Sequence, residues 1–195
     1  MSGDPMDYSA ARRAMIDNQL RPEAVTDAAV LAAMARVPRE EYVSEAARSS
    51  SYVDRPINLG SGRAMMPPAA LGRLLSELAP RPGERALVVG AASGYSAALL
   101  EAIGLDVTSI EGLDLTAGEG DVFDLILIDG AVEHIPQPLV DRLAQGGRLG
   151  AGLRGSGVTR LVIGRAAGGR LGIRAIVDAD VPPLPIFTLP PAFTF

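Results

Sequence analysis

The chain contains the stretch Ala86-Leu87-Val88-Val89-Gly90-Ala91-Ala92-Ser93-Gly94, and this stretch decides which fold class the sequence predicts. Four consecutive apolar residues end at a glycine, and such continuous apolarity is typical of a parallel strand buried on both faces. A turn of small residues follows, and then a short helix over Tyr95 to Ile103 that Gly104 closes. A strand, a tight turn and a helix in this order predict an α/β fold.

The rest of the C-terminal half repeats this alternation. We predict one further helix, Pro136 to Gln145, ended by Gly146-Gly147, and strands at Val107–Ile110, Phe123–Ile128, Arg148–Leu153, Val158–Ile163 and Gly172–Val177. Strands that alternate with helices predict a mostly parallel sheet between two helical layers, a three-layer arrangement. The last strands are close together along the chain, so we expect an antiparallel hairpin at the sheet edge.

The N-terminal part predicts helices instead of a sheet. We expect a helix over Tyr8 to Leu20, a second one capped by Thr26 or Asp27, and a third one that begins at Pro67 or Pro68. The segment from Glu41 to Gly62 has no clear period and is predicted as a loop. We therefore expect three parts: a helical arm at 1–79, an α/β core at 80–181 and a Pro-rich tail at 182–195. We expect the tail to pack on the core at the sheet edge, and a proline-rich ligand for a partner is the alternative.

Composition excludes several function classes. The 195 residues carry 18 basic and 23 acidic side chains, a net charge of −5, which gives no general attraction to nucleic acid or anionic lipid. The sequence has no Cys and one His, His134, so thiol chemistry is excluded and we predict no metal site. No stretch approaches the length of a membrane span, and the first residues lack the apolar core of a signal peptide. We therefore expect a cytoplasmic protein.

The turn Gly90–Gly94 is the first candidate for a binding site. It follows a buried strand and opens a helix, where ligands bind at the carboxyl edge of α/β sheets. Small residues let a ligand approach the backbone, and the helix start presents free N–H groups. The turn lacks the Lys of a phosphate-binding loop. A tight turn with no ligand is the alternative.

Acidic residues end the two strands that follow. Glu111 lies 21 residues after Gly90, the spacing at which a carboxylate binds ribose hydroxyls in such folds. Asp129 and Gly130 end the next strand. These carboxylates suit a polar crevice, and helix capping or ordinary loop charge is the alternative. The sequence Gly-Ala-Ala-Ser-Gly resembles the G-x-G-x-G turn of S-adenosylmethionine methyltransferases more than a dinucleotide turn.

Several segments together resemble the protein-L-isoaspartate O-methyltransferase family. The similar segments are Met15–Leu20, Met34–Val43, Tyr52-Val53-Asp54 with Gly60–Arg63, Val88–Tyr95, Asp129–Glu133 with Ile135-Pro136, and Leu143–Gly147. The resemblance extends from about residue 12 to 165, and the combination of segments is more specific than any single one.

The resemblance implies a Rossmann-like methyltransferase fold and a cofactor, S-adenosyl-L-methionine. It implies methyl transfer to isoaspartyl residues, a protein repair activity with damaged proteins or peptides as acceptors. The implied cofactor-binding residues are Gly90, Ala91, Ala92, Ser93, Gly94, Glu111, Asp129 and Gly130. The implied substrate-binding residues are Gly62, Arg63, Ala64, Met65 and Met66. No catalytic residue is assigned.

This sequence departs from the family pattern at three places. Ala92 stands where the family usually has Gly, and Met66 stands where it has its active-site Ser. The segment between Glu111 and Phe123 is short, so we expect one βα unit fewer and a sheet with one strand fewer than the usual seven. We therefore expect weak or absent methylation of isoaspartyl peptides. The alternatives are a non-catalytic relative that acts as a binding or regulatory module, and a methyltransferase with a different acceptor.

Overall fold

The computed structural model describes residues 6–90, 92–111, 120–155 and 157–184. The helices in these ranges are α1 (Tyr8–Met15), α2 (Ala28–Arg36), α3 (Pro68–Leu78), α4 (Tyr95–Ile103) and α5 (Gln137–Val140). The strands are β1 (Ile57–Gly60), β2 (Arg63–Met65), β3 (Arg85–Val89), β4 (Asp106–Ile110), β5 (Phe123–Val132), β6 (Leu143–Gly155), β7 (Val158–Ala167) and β8 (Arg170–Asp178).

A six-stranded sheet forms the centre of the molecule, in the order β4-β3-β5-β6-β7-β8. The first four strands in this order are parallel, whereas β7 and β8 are antiparallel to their neighbours. The parallel sheet with an antiparallel hairpin at its edge is therefore confirmed. Six strands among the described residues also agree with the expected loss of one strand. Residues 112–119, which lie in the shortened segment, are outside the described part.

The two faces of the sheet are covered unequally. Alternate residues of β3 point to opposite faces, so Val88 joins a large core cluster and Leu87 joins a smaller one. The helices α1 to α4 pack in the large cluster. On the other face the only described helix is α5, which has four residues. The predicted three layers are present, with a thin third layer in the part of the chain that the structure describes.

The N-terminal helices begin where the sequence predicts. The Asp27 carboxylate caps α2 by accepting hydrogen bonds from the backbone N–H groups of Ala29 and Val30, at 2.9 and 3.0 Å. Helix α1 continues as a π-helical turn over Ile16–Leu20, and α3 begins at Pro68. No helix among the described residues is long and apolar enough to cross a membrane.

The loop predicted over 41–62 is wrong in part. It overlaps two 3₁₀ segments, Arg39–Tyr42 and Glu45–Ser50, and it contains β1, which pairs with β2 in an antiparallel hairpin. These elements are three to six residues long, too short to show a period in the sequence.

The helix predicted over Pro136–Gln145 is also wrong in its second half. Helix α5 ends at Val140, and β6 begins at Leu143, opposite Phe123 of β5. The pairing of β6 with β5 shifts between Leu143 and Arg148, and Gly146 in this bulge has a φ of +77°. The two glycines therefore form a bulge inside a strand and do not end a helix.

The start of the tail packs on the core, but on a central strand and not at the sheet edge. The Ala131 backbone N–H donates to the Pro182 carbonyl at 2.8 Å, and the Leu184 N–H donates to the Ala131 carbonyl at 2.8 Å. Ala131 belongs to β5, which has β3 and β6 as its neighbours. The remainder of the predicted tail, residues 185–195, lies outside the described residues.

Candidate functional site

Strands β3 and β4 end at the same level of the sheet, and β5 beside them continues for four more residues, to Val132, so Asp129 and Gly130 lie inside β5 and do not end it as predicted. Val89 of β3 lies opposite Ile110 of β4 on one side and opposite Ile128 of β5 on the other. The residues that follow these three are Gly90, Glu111 and Asp129. Because β4 and β5 flank β3 on opposite sides, this edge is a topological switch point, where α/β sheets bind ligands.

The turn after β3 has the backbone that a close-approach site needs. Gly90 and Gly94 have φ values of +80° and +76°, in the left-handed region that favours glycine. The Ser93 hydroxyl accepts a hydrogen bond from the Tyr95 backbone N–H at 3.2 Å, in the first turn of α4. Ala92 and Ser93 are half-buried, and Ala91 is outside the described residues.

The structure brings one predicted cofactor residue beside one predicted substrate residue. An Arg63 guanidinium nitrogen lies 3.6 Å from a Glu111 carboxylate oxygen, and the two side chains are 46% and 71% exposed. An exposed pair of this kind contributes less than about 1 kcal/mol to stability. Both groups therefore remain accessible to a ligand at this edge.

Asp129 is buried, in contrast to Glu111. Its carboxylate accepts a hydrogen bond from the Ser96 hydroxyl of α4 at 2.7 Å. Burial raises the pKa of Asp129 to about 6, although the Ser96 bond and the positive charge of Arg39 act in the opposite direction. The group is therefore a carboxyl that can gain or lose a proton near neutral pH.

Comparison with known proteins identifies the family. A family model described as protein-L-isoaspartate(D-aspartate) O-methyltransferase matches residues 10–119, which is more than half of the chain. This chain belongs to the protein-L-isoaspartate O-methyltransferase family. The resemblance found in the sequence is thereby confirmed, and the chain is an S-adenosylmethionine-dependent methyltransferase by family.

Individual members of the methyltransferase family support this assignment. The protein-L-isoaspartate O-methyltransferase of Methylorubrum populi is 36% identical over 165 residues, which cover 72% of this chain and 78% of that protein. Protein-L-isoaspartate O-methyltransferase 2 of Marinobacter nauticus is 35% identical over 175 residues, covering 76% of this chain and 80% of that protein.

Solved structures confirm the methyltransferase fold. A Plasmodium falciparum protein-L-isoaspartate O-methyltransferase, crystallised with S-adenosyl-L-homocysteine, superposes with a TM-score of 0.74. The match covers 92% of this chain and 99% of that one, at 18% sequence identity. A second protein-L-isoaspartate O-methyltransferase gives a TM-score of 0.75 at 17% identity, covering 89% of this chain and 65% of that one.

Arg39 is a residue of this methyltransferase site that the sequence analysis missed. Its side chain is fully buried, and its Nε donates to the Ser51 carbonyl at 2.8 Å. Its Nη2 donates to the Met66 carbonyl, in the predicted substrate loop. The guanidinium carbon lies 4.9 Å from the centre of the Tyr95 ring, at the start of α4. Arg39 was within a segment similar to the family, but nothing in that pattern indicates burial.

Met65 and Met66, two of the predicted substrate-binding residues, offer no surface to a substrate. Their side chains are 3% and 0% exposed, because the hairpin register places Met65 opposite the buried Ile57 and both methionines pack in the large core. A serine at position 66, the residue that the family has there, would consequently place its hydroxyl in the core and not in the crevice. Of the other predicted substrate residues, Gly62 and Arg63 are exposed and Ala64 is half-buried.

Leu184 is a second residue that the sequence analysis missed. A Cβ atom built on Gly90 would lie 2.8 Å from the Leu184 side chain, and one built on Gly130 would lie 2.6 Å from it. Leu184 thus covers two glycines that were predicted to bind the cofactor. The Pro-rich composition of its segment indicates no contact of this kind.

The only histidine contributes nothing to this arrangement. His134 is exposed in the segment between β5 and α5, as expected for a solvated polar residue. Within the described ranges, no three His, Cys, Asp or Glu side chains form a group that could hold a metal ion.

Proposed function

We propose that this chain transfers the methyl group of S-adenosylmethionine to the carboxylate of isoaspartyl residues in proteins, and so takes part in protein repair. The observation that carries the proposal is the common level of Gly90, Glu111 and Asp129 on three neighbouring parallel strands. The cytoplasmic location, and the lack of nucleic-acid or membrane partners, stay predictions from the sequence.

The proposed cofactor site follows the edge of these strands. The adenosine would lie over Gly90–Gly94, with the Glu111 carboxylate accepting hydrogen bonds from the ribose hydroxyls. The exposure of Glu111 fits this role, since both of its oxygens can reach a ligand. Asp129 and Gly130 would form the wall near the methyl end. The cofactor supplies an electrophilic methyl group, so the protein needs to bind and orient the reactants.

The proposed acceptor site lies on the hairpin side of the crevice. An isoaspartyl carboxylate is already ionised at pH 7 and needs no general base. The Arg63 guanidinium, which now lies beside Glu111, can hold such a carboxylate by paired hydrogen bonds. Catalysis would then depend mainly on holding the two reacting atoms in line.

The burial of the Asp129 carboxyl favours a second candidate function, methyl transfer to a neutral acceptor group. A buried carboxylate near the methyl end would repel an acceptor carboxylate, but it could take the proton of a hydroxyl or amine nucleophile. A carboxyl pKa of about 6 suits this role as a general base at neutral pH.

The cofactor site is tested by Glu111→Ala in a calorimetric titration with S-adenosylmethionine. We expect the binding free energy to weaken by at least about 1.5 kcal/mol, the lower value for a hydrogen bond to a charged group. Glu101→Ala, an exposed change on α4, is the matched control and should leave binding as it is. Equal affinities of the parent and Glu111→Ala would remove Glu111 from the site.

The reaction is tested by transfer of a labelled methyl group to an isoaspartyl peptide, with the normal aspartyl peptide as control. We expect slow transfer to the isoaspartyl peptide only, and slower transfer by Arg63→Ala. Fast turnover by the parent would show that the reaction does not need the family's active-site Ser, which Met66 replaces. Cofactor binding without transfer to either peptide would favour a different acceptor or a binding module.

A further inference from the structure

The segment Val181–Leu184 lies in the crevice beyond the carboxyl end of β3, beside the last residues of β5. Strand β3 ends at Val89, and beyond that point Pro183 takes the place beside Ala131 of β5, in a parallel bridge. Two backbone hydrogen bonds, one on each side of Pro183, hold the segment to Ala131 at 2.8 Å each. The chain therefore fills, with its own residues, the position where this class of sheet binds its ligand.

The Leu184 side chain lies on two glycines in this crevice. Its terminal carbons would be 2.8 Å from a Cβ on Gly90, and its Cγ would be 2.6 Å from a Cβ on Gly130. Both distances are shorter than real Cβ contacts, so Leu184 fits here only because these two positions have no side chain. A ligand that uses the same bare backbone must share this space with Leu184.

We propose that Leu184 controls access to the cofactor crevice and must withdraw before S-adenosylmethionine binds. This inference rests on the proposed function, since it concerns the same crevice. Val181 is only 4% exposed and anchors the segment in the core, whereas Leu184 is half-buried. Withdrawal then breaks two backbone hydrogen bonds and the packing of Leu184 against the smaller core cluster, and leaves Val181 in place.

Two prolines lie between the anchor Val181 and Leu184. Pro182 and Pro183 have fixed φ angles and no N–H group, so the segment between the anchor and Leu184 is stiff and has few ways to rearrange. When the gate is closed, only the fraction of molecules with Leu184 withdrawn can bind, and the apparent affinity falls by that fraction.

The first test is Leu184→Ala, which weakens the closed position. We expect S-adenosylhomocysteine to bind at least about threefold more tightly, because a larger fraction of molecules is open. Leu171→Ala is the matched control, since Leu171 is also half-buried and covers Gly164 at a similar 2.7 Å, on strands away from the crevice. This control should bind as the parent does. Weaker binding by Leu184→Ala would overturn the proposal, since Leu184 would then contribute to the binding site. Equal binding would also overturn it, since Leu184 would then have no effect on the ligand.

The second test measures the withdrawal itself. The chain has no Cys, so Leu184→Cys introduces a single thiol whose reaction with a disulfide reagent reports its exposure. Saturating S-adenosylhomocysteine should speed this reaction at least about threefold, because the bound population is open. It should leave the rate of Leu171→Cys as it is. An unchanged or slower reaction of Leu184→Cys would overturn the gate.

The two proposals fail in different ways. If the parent, Leu184→Ala and Leu171→Ala bind S-adenosylhomocysteine equally, the cofactor site stands and the gate is wrong. If only Leu184→Ala binds it, the gate is supported strongly. If none of the three binds it, the proposed cofactor is wrong and the gate is wrong with it.

Discussion

Asp129 combines a carboxyl group with almost complete burial. The folded protein holds its pKa at about 6, whereas an Asp in an unfolded chain titrates near 3.9. The folded state therefore binds this proton more tightly. Its contribution to stability is complete below about pH 4 and is lost as the pH rises through about 6. At neutral pH the ionised Asp129 lowers the stability of the fold.

Asp129→Asn should accordingly stabilise the protein at neutral pH. The amide oxygen can still accept a hydrogen bond from the Ser96 hydroxyl, and the cost of burying a carboxylate at this position is removed. We expect the free energy of unfolding to exceed that of the parent by roughly 3 kcal/mol at pH 8, from a pKa difference of about two units, and to approach it at pH 4. Urea unfolding across this range measures the difference, and Asp106→Asn on the exposed face of β4 is the control. A difference that is the same at both pH values would contradict this account of Asp129.

Residues at strand ends could be located from the sequence, and residues that cross between elements could not. Gly90 and Glu111 directly follow strands, as the ends of the continuous apolar runs predict, whereas Asp129 was predicted to end a strand and lies inside β5. Arg39 and Leu184 reach the site from segments far along the chain. Their contacts depend on how the helices and the tail pack, and no local period encodes that.

At the scale of elements, Arg39 connects three segments that are separate in sequence. From the 3₁₀ segment Arg39–Tyr42 it donates to the carbonyls of Ser51 and Met66, and its guanidinium lies on the ring of Tyr95. The loop before α3, the segment after Ser50 and the first turn of α4 therefore share one buried cation. We infer that this cation sets the position of the predicted substrate loop, at Met66, relative to the turn Gly90–Gly94.

Arg39→Met tests this connection. Methionine fills a similar volume but leaves two buried carbonyls without a hydrogen-bond donor. Each carbonyl left without a donor costs about 1 to 3 kcal/mol of stability. We expect the free energy of unfolding in urea to fall by about 3 kcal/mol. Arg36→Met is the control, because Arg36 donates to a single carbonyl, that of Ala102, from an exposed position. A loss below about 1 kcal/mol for Arg39→Met would mean that the carbonyls find other partners.

Elements with strong local signals were predicted closely. Helix α4 covers Tyr95–Ile103, the residues that the sequence indicates, because the small-residue turn and Gly104 mark both of its ends. Helix α5 was predicted too long, because Gly146-Gly147 reads as a helix end. The structure uses Gly146 in the left-handed conformation inside a bulge of β6. A glycine pair predicts a change of direction but does not distinguish these two causes.

At the scale of the whole molecule, Arg148 joins the helical N-terminal part to the sheet. From β6 it donates to the carbonyls of Leu78 and Ala79, at the end of α3, at 2.7 and 3.3 Å. It also forms two hydrogen bonds with the Glu84 carboxylate, at 3.0 and 2.7 Å, and both side chains are mostly buried. Burial alone would raise the pKa of Glu84, but the bonds from Arg148 and from the Arg81 backbone N–H lower it.

Glu84→Gln should therefore loosen the attachment of α3 to the sheet in a pH-dependent way. We expect the free energy of unfolding to fall by about 2 kcal/mol at pH 7, the size of a hydrogen bond to a charged group. Because the folded pKa of Glu84 is lowered, its contribution is present above the unfolded value, near 4.3, and is lost as the pH falls through the folded one. The gap between parent and variant should thus close in acid. The Asp129→Asn gap also closes in acid but has the opposite sign, because that variant is more stable than the parent at high pH. Asp178→Asn removes the exposed pair with Arg160 and should cost less than about 1 kcal/mol. A Glu84→Gln loss as small as that control, or one that persists unchanged at pH 3, would show that the Glu84 carboxylate does not hold Arg148 in place against the end of α3.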